Sequence, residues 1–400
     1  MIINKKKIYT KIQSIDYKYV LFLYFLAFSL FYLSDFDKWN NKVSVDFLWR
    51  YRPNGLNLIN ELSNLNFSST FFTLKLDEGN FLNFYFLSEL LTGIFLKITP
   101  NWVYFSLVAN YASILSLFLS YYFFLKNLSI KNKNFVTFIS LFIFFIYIGN
   151  WDWIFWKLVD YYFLFIFTLI FYFIIQAINY NKSIYFFYGL IFSLVAIFIK
   201  PNGVIAIFFF ILGVFLLKYY KKSFFKTIFI LFAVYFLSLP LLIFISIKFN
   251  YTNIFANFFL AGNITGNIFY KYEDFINQFN FVKNDFTLLL YFYFLILKKL
   301  LYQLAFLRDT YSLRHNIFLF FYTLINYFFL IINLDYLIKK YNLFFKLTVL
   351  LILLLTMLNC STLSADESNR YQLPYLVPLY ILISISFDKF LKTFFKNINT

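Results

Sequence analysis

Residues 102–125 read WVYFSLVANYASILSLFLSYYFFL, a run of 24 residues without Asp, Glu, Lys or Arg. A helix that crosses the hydrocarbon core of a bilayer needs about 20 mostly apolar residues. A strand within a globular core is much shorter than this run. The stretch is therefore typical of a membrane-spanning helix, and it sets the expectation for the rest of the chain.

The composition of the whole chain agrees with a membrane protein. Hydrophobic residues make up 62% of the 400 residues and charged residues only 13%, with a mean hydropathy of +0.73. Soluble domains carry about 25% charged residues, so a water-soluble globule is excluded, as are coiled-coil, collagen-like and nucleic-acid-binding proteins. The single cysteine, Cys360, and the single histidine, His315, exclude a disulfide framework and metal sites built from cysteines or histidine clusters.

Ten stretches have the length and polarity of a membrane span. They are residues 19–34, 102–125, 135–149, 158–178, 184–199, 203–217, 227–247, 316–338, 344–360 and 372–387. Two further apolar stretches, 81–98 and 286–307, contain charged residues and are interpreted as helices lying on the outer membrane surface. The predicted fold is an all-α polytopic membrane protein, residues 1–400 forming one integral membrane domain with about 10 transmembrane helices plus interfacial helices in two long outer loops.

The positions of the basic residues predict the orientation. With both termini inside, more than half of the 35 Lys and Arg residues fall in short inner segments, as the positive-inside rule requires. The two long loops, residues 35–101 and 248–315, then lie outside. Asp35 and Phe36 follow the first span in place of small residues, so a signal peptide is not predicted. The expected location is the plasma (inner) membrane, with multiple spans and both termini in the cytoplasm.

Arginine concentrates on the predicted outer face. The chain has five arginines, Arg50, Arg52, Arg308, Arg314 and Arg370. All five fall outside, although the positive-inside rule favours the opposite placement. A guanidinium binds phosphate or carboxylate through two parallel hydrogen bonds, whereas lysine offers a point charge. We therefore expect an outer cavity that binds a phosphate-bearing ligand. The alternative is that these arginines form structural ion pairs with the outer acids.

The first outer loop offers three carboxylates just beyond the first span, Asp35, Asp37 and Asp46. A carboxylate at this depth is placed to act as a general base at the membrane surface. The alternative is a solvated acidic cluster. Farther along the loop, Pro53 and Gly55 predict a turn, and the apolar residues of 56–65 recur at helical spacing, which predicts a helix lying on the membrane.

Charged residues also interrupt the spans. Lys157 and Asp160 are three positions apart, so they are predicted to pair on one helical face. Residues 200–203, Lys-Pro-Asn-Gly, break an apolar run, and a break at membrane depth is tolerated only where the backbone lines protein or water. The alternative is a plain tight turn between two short spans. In the last loop, Asp366, Glu367 and Arg370 immediately precede a span.

This arrangement resembles the GT-C superfamily of polytopic glycosyltransferases, which includes bacterial relatives of protein mannosyltransferases and of lipid A aminoarabinose transferases. The likeness lies in a long first outer loop with an early Asp, in Asp160 at the start of a span, in residues 200–203, and in residues 366–374. Residues 200–203 look like the family's Arg/Lys-Pro-x-Gly turn. The sequence DESNRYQLP at 366–374 looks like its Asp/Glu-x-x-Arg-Tyr-x-x-Pro motif.

The resemblance implies transfer of a sugar from a polyprenyl-phosphate donor to a lipid or glycan acceptor at the outer face of the bilayer. It implies a base among the early carboxylates, in the order Asp37, Asp46, Asp35. If the family's essential acid instead corresponds to the position that Asn54 or Asn57 occupies here, this chain is inactive or uses a different catalytic group. The residues expected to bind substrate are Arg370, Arg308, Arg314, Lys200, Asp160 and Glu367. No cofactor is required by this scheme, although a divalent cation is compatible with it.

Three other functions compete with this one, and one of them is that of a non-enzymatic assembly subunit. A polysaccharide polymerase or ligase of the outer face also has many spans and a large outer loop. That loop usually lies late in the chain, whereas here long loops lie both early and late. A flippase or transporter predicts an internal repeat and charges at mid-membrane, but the sequence shows no repeat and places its acids near the outer edge.

Overall fold

The structure is a computed structural model that describes most of the chain. The described residues are 16–44, 47–64, 73–76, 79–82, 85–99, 101–157, 159–200, 203–248, 284–304, 312–361 and 372–398. Helices dominate these residues. In chain order they are α1 (Tyr17–Ser34), α2 (Phe36–Asn40), α3 (Arg52–Ser63), α4 (Phe86–Ile98), α5 (Trp102–Lys126), α6 (Lys133–Ile146), α7 (Ile148–Trp151), α8 (Asp160–Tyr180), α9 (Ser183–Ile199), α10 (Val204–Tyr219), α11 (Phe224–Lys248), α12 (Asp285–Gln303), α13 (Leu313–Ile332), α14 (Leu334–Lys340), α15 (Asn342–Ser361) and α16 (Leu373–Ile398).

Three shorter elements complete the description. A π-helical turn, Phe47–Tyr51, precedes α3, and a 3-10 helix, Asp152–Trp156, follows α7. The strands β1 (Thr73–Leu76) and β2 (Gly79–Leu82) form an antiparallel hairpin in which Thr73 pairs with Leu82. The sequence analysis did not predict this hairpin, which lies within the first predicted outer loop.

The all-α polytopic fold is confirmed. Among the described residues, seven helices are long and apolar enough to cross a membrane, and they lie within α1, α5, α8, α11, α13, α15 and α16. The predicted span 135–149 corresponds to α6 and the helical turns after it, which bend by 96°. The predicted spans 184–199 and 203–217 correspond to α9 and α10, which are apolar but shorter. Each predicted span therefore coincides with a helix, and the total of ten spans stays a prediction.

Side chains satisfy the backbone groups exposed by the bend after α6. The carbonyl of Phe144 accepts a hydrogen bond from Asn150 Nδ2 at 3.0 Å, and the carbonyl of Phe145 accepts one from Trp151 Nε1 at 2.9 Å. The last carbonyls of a helix have no partner within the helix, and leaving them unpaired in a membrane is costly. The bend is therefore a built feature of the fold rather than a frayed end.

The chain forms two compact units. The first comprises Met1–Phe215, Phe329–Thr348 and Leu373–Thr400. At its centre lies α16, with 83% of its spanning window buried, and α16 packs against α6 and α8. By contrast, α1 has only 22% of its window buried and exposes many apolar side chains, as expected of a helix that faces lipid.

Helices α3 and α4 pack against each other at van der Waals distance through glycines. A Cβ atom on Gly93 would lie 2.1 Å from the carbonyl oxygen of Gly55, so no larger residue fits there. The helix predicted in 56–65 is confirmed as part of α3. The turn predicted at Pro53 and Gly55 is wrong, because Pro53 lies in the first helical turn, where its missing N–H costs nothing, and Gly55 lies inside the helix.

The second compact unit comprises Leu216–Phe328 and Val349–Gln372. In this unit α11 packs against α12. Its buried core contains Leu239 of α11, Leu288, Phe292 and Ile296 of α12, and Cys360 near the end of α15. The three residues of α12 recur at intervals of four, so they form one apolar face along the helix.

Candidate functional site

A buried ion pair joins α8 to the end of α9. Lys200 Nζ lies 2.6 Å from Asp160 Oδ1, and the two side chains are only 6% and 2% exposed. Asp160 is the first residue of α8, where the helix dipole favours a negative charge. Lys200 directly follows α9. Because only Asn181 and Lys182 connect these helices, they run antiparallel, and the start of α8 meets the end of α9.

The second carboxylate oxygen of Asp160, Oδ2, takes no part in this ion pair. Asp160 Oδ2 is buried and has no hydrogen-bond partner among the residues that the structure describes. An unpaired buried carboxylate oxygen is costly in free energy, and such atoms are rare in native proteins. Asp160 Oδ2 is therefore positioned to accept a hydrogen bond or a proton from a ligand.

The local backbone explains why lysine and glycine flank the break between α9 and α10. The N–H of Gly203 donates to the carbonyl of Lys200 at 2.7 Å. A Cβ atom on Gly203 would lie 1.9 Å from the carbonyl oxygen of Ala196, so the chain requires glycine at this position. The predicted interruption of the apolar run at 200–203 is confirmed at its two described residues.

A second buried ion pair joins the π-helical turn to α4. Glu89 is fully buried, and its Oε1 accepts hydrogen bonds from Arg50 Nε at 3.1 Å and from Asn54 Nδ2 at 2.9 Å. The Arg50 guanidinium lies over the ring of Tyr85, 3.7 Å from its centroid. Stacking and the ion pair fix the guanidinium plane, yet Arg50 Nη2 is buried without a hydrogen-bond partner within the described part of the chain.

Helix α4 brings the two pairs to neighbouring backbone positions. Ser88 Oγ donates a hydrogen bond to the carbonyl of Ile199. Ser88 directly precedes Glu89, and Ile199 directly precedes Lys200. We use the name polar cluster for Arg50, Glu89, Asp160 and Lys200 together. It contains two carboxylates and two cations, all in the first compact unit.

Lys157 does not join the polar cluster. Its Nζ donates to the carbonyl of Asn40, the last residue of α2, at 2.6 Å and to the carbonyl of Lys42, two residues farther on, at 2.7 Å. The backbone of Lys157 is left-handed, with φ of 54°, and this conformation turns the side chain away from α8. The predicted Lys157–Asp160 pair is therefore wrong, because Asp160 pairs with Lys200 instead.

Burial lowers the pKa of the Lys157 ammonium to about 7. The carbonyl oxygens around Nζ act against this shift, because they accept hydrogen bonds best from the charged form.

Close to Lys157, Lys42 forms an ion pair with Asp152, whose Oδ2 accepts a hydrogen bond from Trp156 Nε1 at 2.9 Å. These contacts attach the segment that follows α2 to the 3-10 helix.

The carboxylates predicted as the base lie outside the polar cluster or outside the described residues. Asp35 is exposed and forms an ion pair with Lys38 at 3.3 Å. Asp37 is also exposed. Asp46 lies outside the described residues. A catalytic role for any of the three stays a prediction.

The structure joins two of the residues predicted to bind substrate, Asp160 and Lys200. Of the others, Arg314 is exposed near the start of α13 in the second compact unit. Arg308, Glu367 and Arg370 lie outside the described residues. Their roles stay predictions. Across the part of the chain that the structure describes, no group of three or more His, Cys, Asp or Glu side chains is placed to hold a metal ion.

The sequence alone assigns no role to the pair of Arg50 and Glu89. It predicts Arg50 as an outer arginine and Glu89 on a helix at the membrane surface. The sequence does indicate that Glu89 has a polar partner, because an acid inside an otherwise apolar helix is costly and usually faces one. It does not identify that partner, since 39 residues separate the two side chains in the chain.

Comparisons with family models, with curated proteins and with solved structures find no match for this chain. The likeness to the GT-C superfamily therefore rests on the residues quoted from the sequence. The arrangement of the polar cluster can be judged on its own chemistry. Two carboxylates beside two cations suit a reaction that moves a proton and stabilises an oxyanion.

Proposed function

We propose that this chain is a membrane glycosyltransferase that moves a sugar from a polyprenyl-phosphate donor to a lipid or glycan acceptor at the outer face of the membrane. The observation that carries the proposal is the buried Asp160–Lys200 pair with its unpartnered Oδ2. Both residues belong to segments that resemble the GT-C family. Burial of charged groups is expensive, and it is more readily explained at a binding or catalytic site than on a structural helix.

The reaction needs a base and an oxyanion site. In an inverting transfer, the acceptor hydroxyl oxygen bonds to C1 of the sugar while the bond from C1 to the phosphate oxygen breaks. The hydroxyl proton passes to a carboxylate, and the polyprenyl phosphate leaves with the additional negative charge. Within the polar cluster, Lys200 and Arg50 are the cations suited to that charge. For the same role the sequence predicts Arg370, Arg308 and Arg314.

Two sets of carboxylates compete for the role of base. The sequence favours Asp37, Asp46 or Asp35. The geometry adds Asp160, because its Oδ2 has no hydrogen-bond partner among the described residues, whereas Glu89 Oε1 already accepts from Arg50 and Asn54. If one of the early carboxylates is the base, Asp160 Oδ2 accepts a hydrogen bond from a sugar hydroxyl. Both roles, general base and hydrogen-bond acceptor, require that Asp160 Oδ2 is free to contact the substrate.

The test is a transfer assay with the purified full chain in lipid nanodiscs. The probes are radiolabelled polyprenyl-phosphate hexose and pentose, and the acceptor is a total lipid and glycan extract from cells that lack the protein. We expect label to move from donor to acceptor. Absence of transfer with every donor and extract, by folded protein, would exclude the proposal. Transfer only from a diphosphate-linked oligosaccharide would favour the polymerase or ligase instead.

Variants assign the roles. Asp160→Asn keeps the shape and an acceptor for Lys200, and we expect transfer to fall by about 10²–10⁴-fold if Asp160 is the base. A smaller loss with a raised donor KM indicates the hydroxyl-binding role. Asp37→Asn, Asp46→Asn and Asp35→Asn test the other set. The matched control is Lys222→Gln, which removes an exposed charge from the turn between α10 and α11 and should leave transfer unchanged.

A further inference from the structure

A buried lysine in the second compact unit, Lys299, has no hydrogen-bond partner among the described residues, and the Cys360 thiol is a group that interacts with it electrostatically. Lys299, near the end of α12, is only 6% exposed. Its Nζ has no hydrogen-bond partner among the residues that the structure describes. Buried ammonium groups in proteins are normally paired or hydrogen-bonded, because removing the charge from water is costly. Lys299 is therefore an exception that needs a physical explanation.

The described part of this unit contains no counter-charge close to Lys299. Asp285 is the one carboxylate among those residues, and it begins α12, whereas Lys299 lies 14 residues farther along the same helix. At 1.5 Å per residue the two backbone positions are about 21 Å apart. Asp285 is thus too far away to neutralise the ammonium group.

Polar side chains gather around the same end of α12. Asn359 Nδ2 donates to Gln303 Oε1 at 2.7 Å, and Gln372 Nε2 donates to the carbonyl of Tyr302 at 2.9 Å. Tyr302 lies three residues after Lys299, on the same side of the helix. The bond from Nε2 fixes the orientation of the Gln372 amide, and its Oε1 is buried with no partner among the described residues.

Among the described residues, this end of α12 therefore offers an unused cationic donor, Lys299 Nζ, and an unused acceptor, Gln372 Oε1. We propose that these two atoms form a binding site for a phosphate monoester or for inorganic phosphate. The phosphoryl oxygens pair with the ammonium group, and the remaining P–OH of the singly protonated form donates to Gln372 Oε1. A phosphate diester has no P–OH and leaves Gln372 Oε1 unpaired. The site lies outside the polar cluster, and it does not depend on the proposed glycosyl transfer.

Binding is tested with the purified full chain in detergent, without sugar or acceptor. The probes are inorganic phosphate, short-chain phosphatidic acid as a lipid monoester, and phosphatidylmethanol of the same chain length as a diester without a headgroup hydroxyl. A ligand that binds the folded state raises the melting temperature with concentration. We expect phosphatidic acid to raise it and phosphatidylmethanol not to. An equal rise with inorganic phosphate identifies free phosphate as the source, and a rise with the lipid alone identifies a headgroup.

Substitution at Lys299 tests the site directly. Lys299→Met removes a buried unpaired charge, so the unliganded variant should melt no lower than the wild-type protein. We expect its affinity for phosphatidic acid to fall about ten- to hundredfold. The matched control is Lys298→Met, which removes the neighbouring, more exposed charge and should keep the affinity.

Gln372→Met provides a second test on another segment of the chain. It should reduce the preference for monoester over diester while Lys299 still contributes its charge. Three results would overturn the site: no stabilisation by inorganic phosphate or by phosphatidic acid, equal stabilisation by phosphatidylmethanol, or unchanged affinity in Lys299→Met. None of these results bears on glycosyl transfer, and loss of transfer in the polar cluster does not bear on Lys299.

Discussion

Lys200 Nζ lies 2.6 Å from Asp160 Oδ1, and both side chains are almost fully buried although 40 residues separate them in the chain. The two side chains come together because α8 and α9 are antiparallel neighbours, so that the first residue of α8 lies beside the end of α9. The pair costs more in desolvation than an apolar pair of the same size, so stability alone does not account for it. The proposed glycosyl transfer supplies a requirement for charge at this position.

The first prediction separates structure from function at this pair. Lys200→Met leaves Asp160 buried and unpaired, and we expect unfolding free energy to fall by about 3–5 kcal/mol. The double variant Asp160→Leu/Lys200→Met removes both charges and should regain most of that stability, as measured by thermal melting. It should nevertheless remain inactive in the transfer assay. Full activity in a stable double variant would show that the pair is only structural.

The second prediction concerns Glu89. Glu89→Gln keeps the shape of the side chain but removes the counter-charge of Arg50, whose side chain is only 18% exposed. We expect unfolding free energy to fall by about 1–3 kcal/mol, because the charged hydrogen bond is weakened in a buried site. The control is Asp37→Asn, at an exposed carboxylate. A Glu89→Gln protein that melts with the control would show that the Arg50 pair contributes nothing to stability.

The third prediction concerns the glycine contact between α3 and α4. Gly93→Ala places a Cβ atom 2.1 Å from the Gly55 carbonyl oxygen, and backbone cannot yield as a side chain does. We expect a loss of about 1–3 kcal/mol from overpacking, seen as a lower melting temperature. The control is Gly213→Ala, where the nearest atom is the end of the Ile174 side chain at 3.1 Å. Equal melting temperatures for the two variants would contradict the close helix contact.

The fourth prediction uses the lowered pKa of Lys157, which is about 7. The unfolded chain keeps the ordinary lysine pKa of about 10.4, so between these values the unfolded state binds more protons than the folded state. Stability should therefore rise with pH across this range and be lowest below pH ~7. Lys157→Met should flatten the dependence of melting temperature on pH. The control Lys38→Gln should keep the wild-type slope, and an unchanged slope in Lys157→Met would exclude Lys157 as the cause.

The sequence predicts the helices well because a span is a local feature. Twenty or so apolar residues specify a helix wherever they occur, and so 102–125 corresponds to α5 within one residue. The same reasoning identified the break at Lys200. It failed at Pro53, because proline is read as a turn signal although the first turn of a helix accepts it equally well.

Partners of charged residues are a different matter, because they depend on which helices are neighbours. Lys157 and Asp160 are close in sequence, yet a left-handed residue directs Lys157 to the carbonyls of Asn40 and Lys42. Glu89 finds Arg50 only because α3 and α4 approach at their glycines. No spacing rule contains this information. The polar cluster was therefore half predicted, through Asp160 and Lys200, and half missed.

The last prediction is the orientation, which follows from the positive-inside rule. The loops 35–101 and 248–315 should face the outside and the Lys-rich turn between α10 and α11 the cytoplasm. Cys360 is buried and is the single cysteine of the chain, so a cysteine-free background needs only Cys360→Ala. In that background, Ser68→Cys and Asn277→Cys should react in intact cells with a membrane-impermeant maleimide. Lys221→Cys, an exposed position in the turn, should react only after the membrane is opened. Protection of Ser68→Cys and Asn277→Cys in intact cells, together with labelling of Lys221→Cys, would show that the topology is the inverse of the predicted one. The long loops would then lie on the side opposite to the outer face, where the donor lipid is proposed to be used.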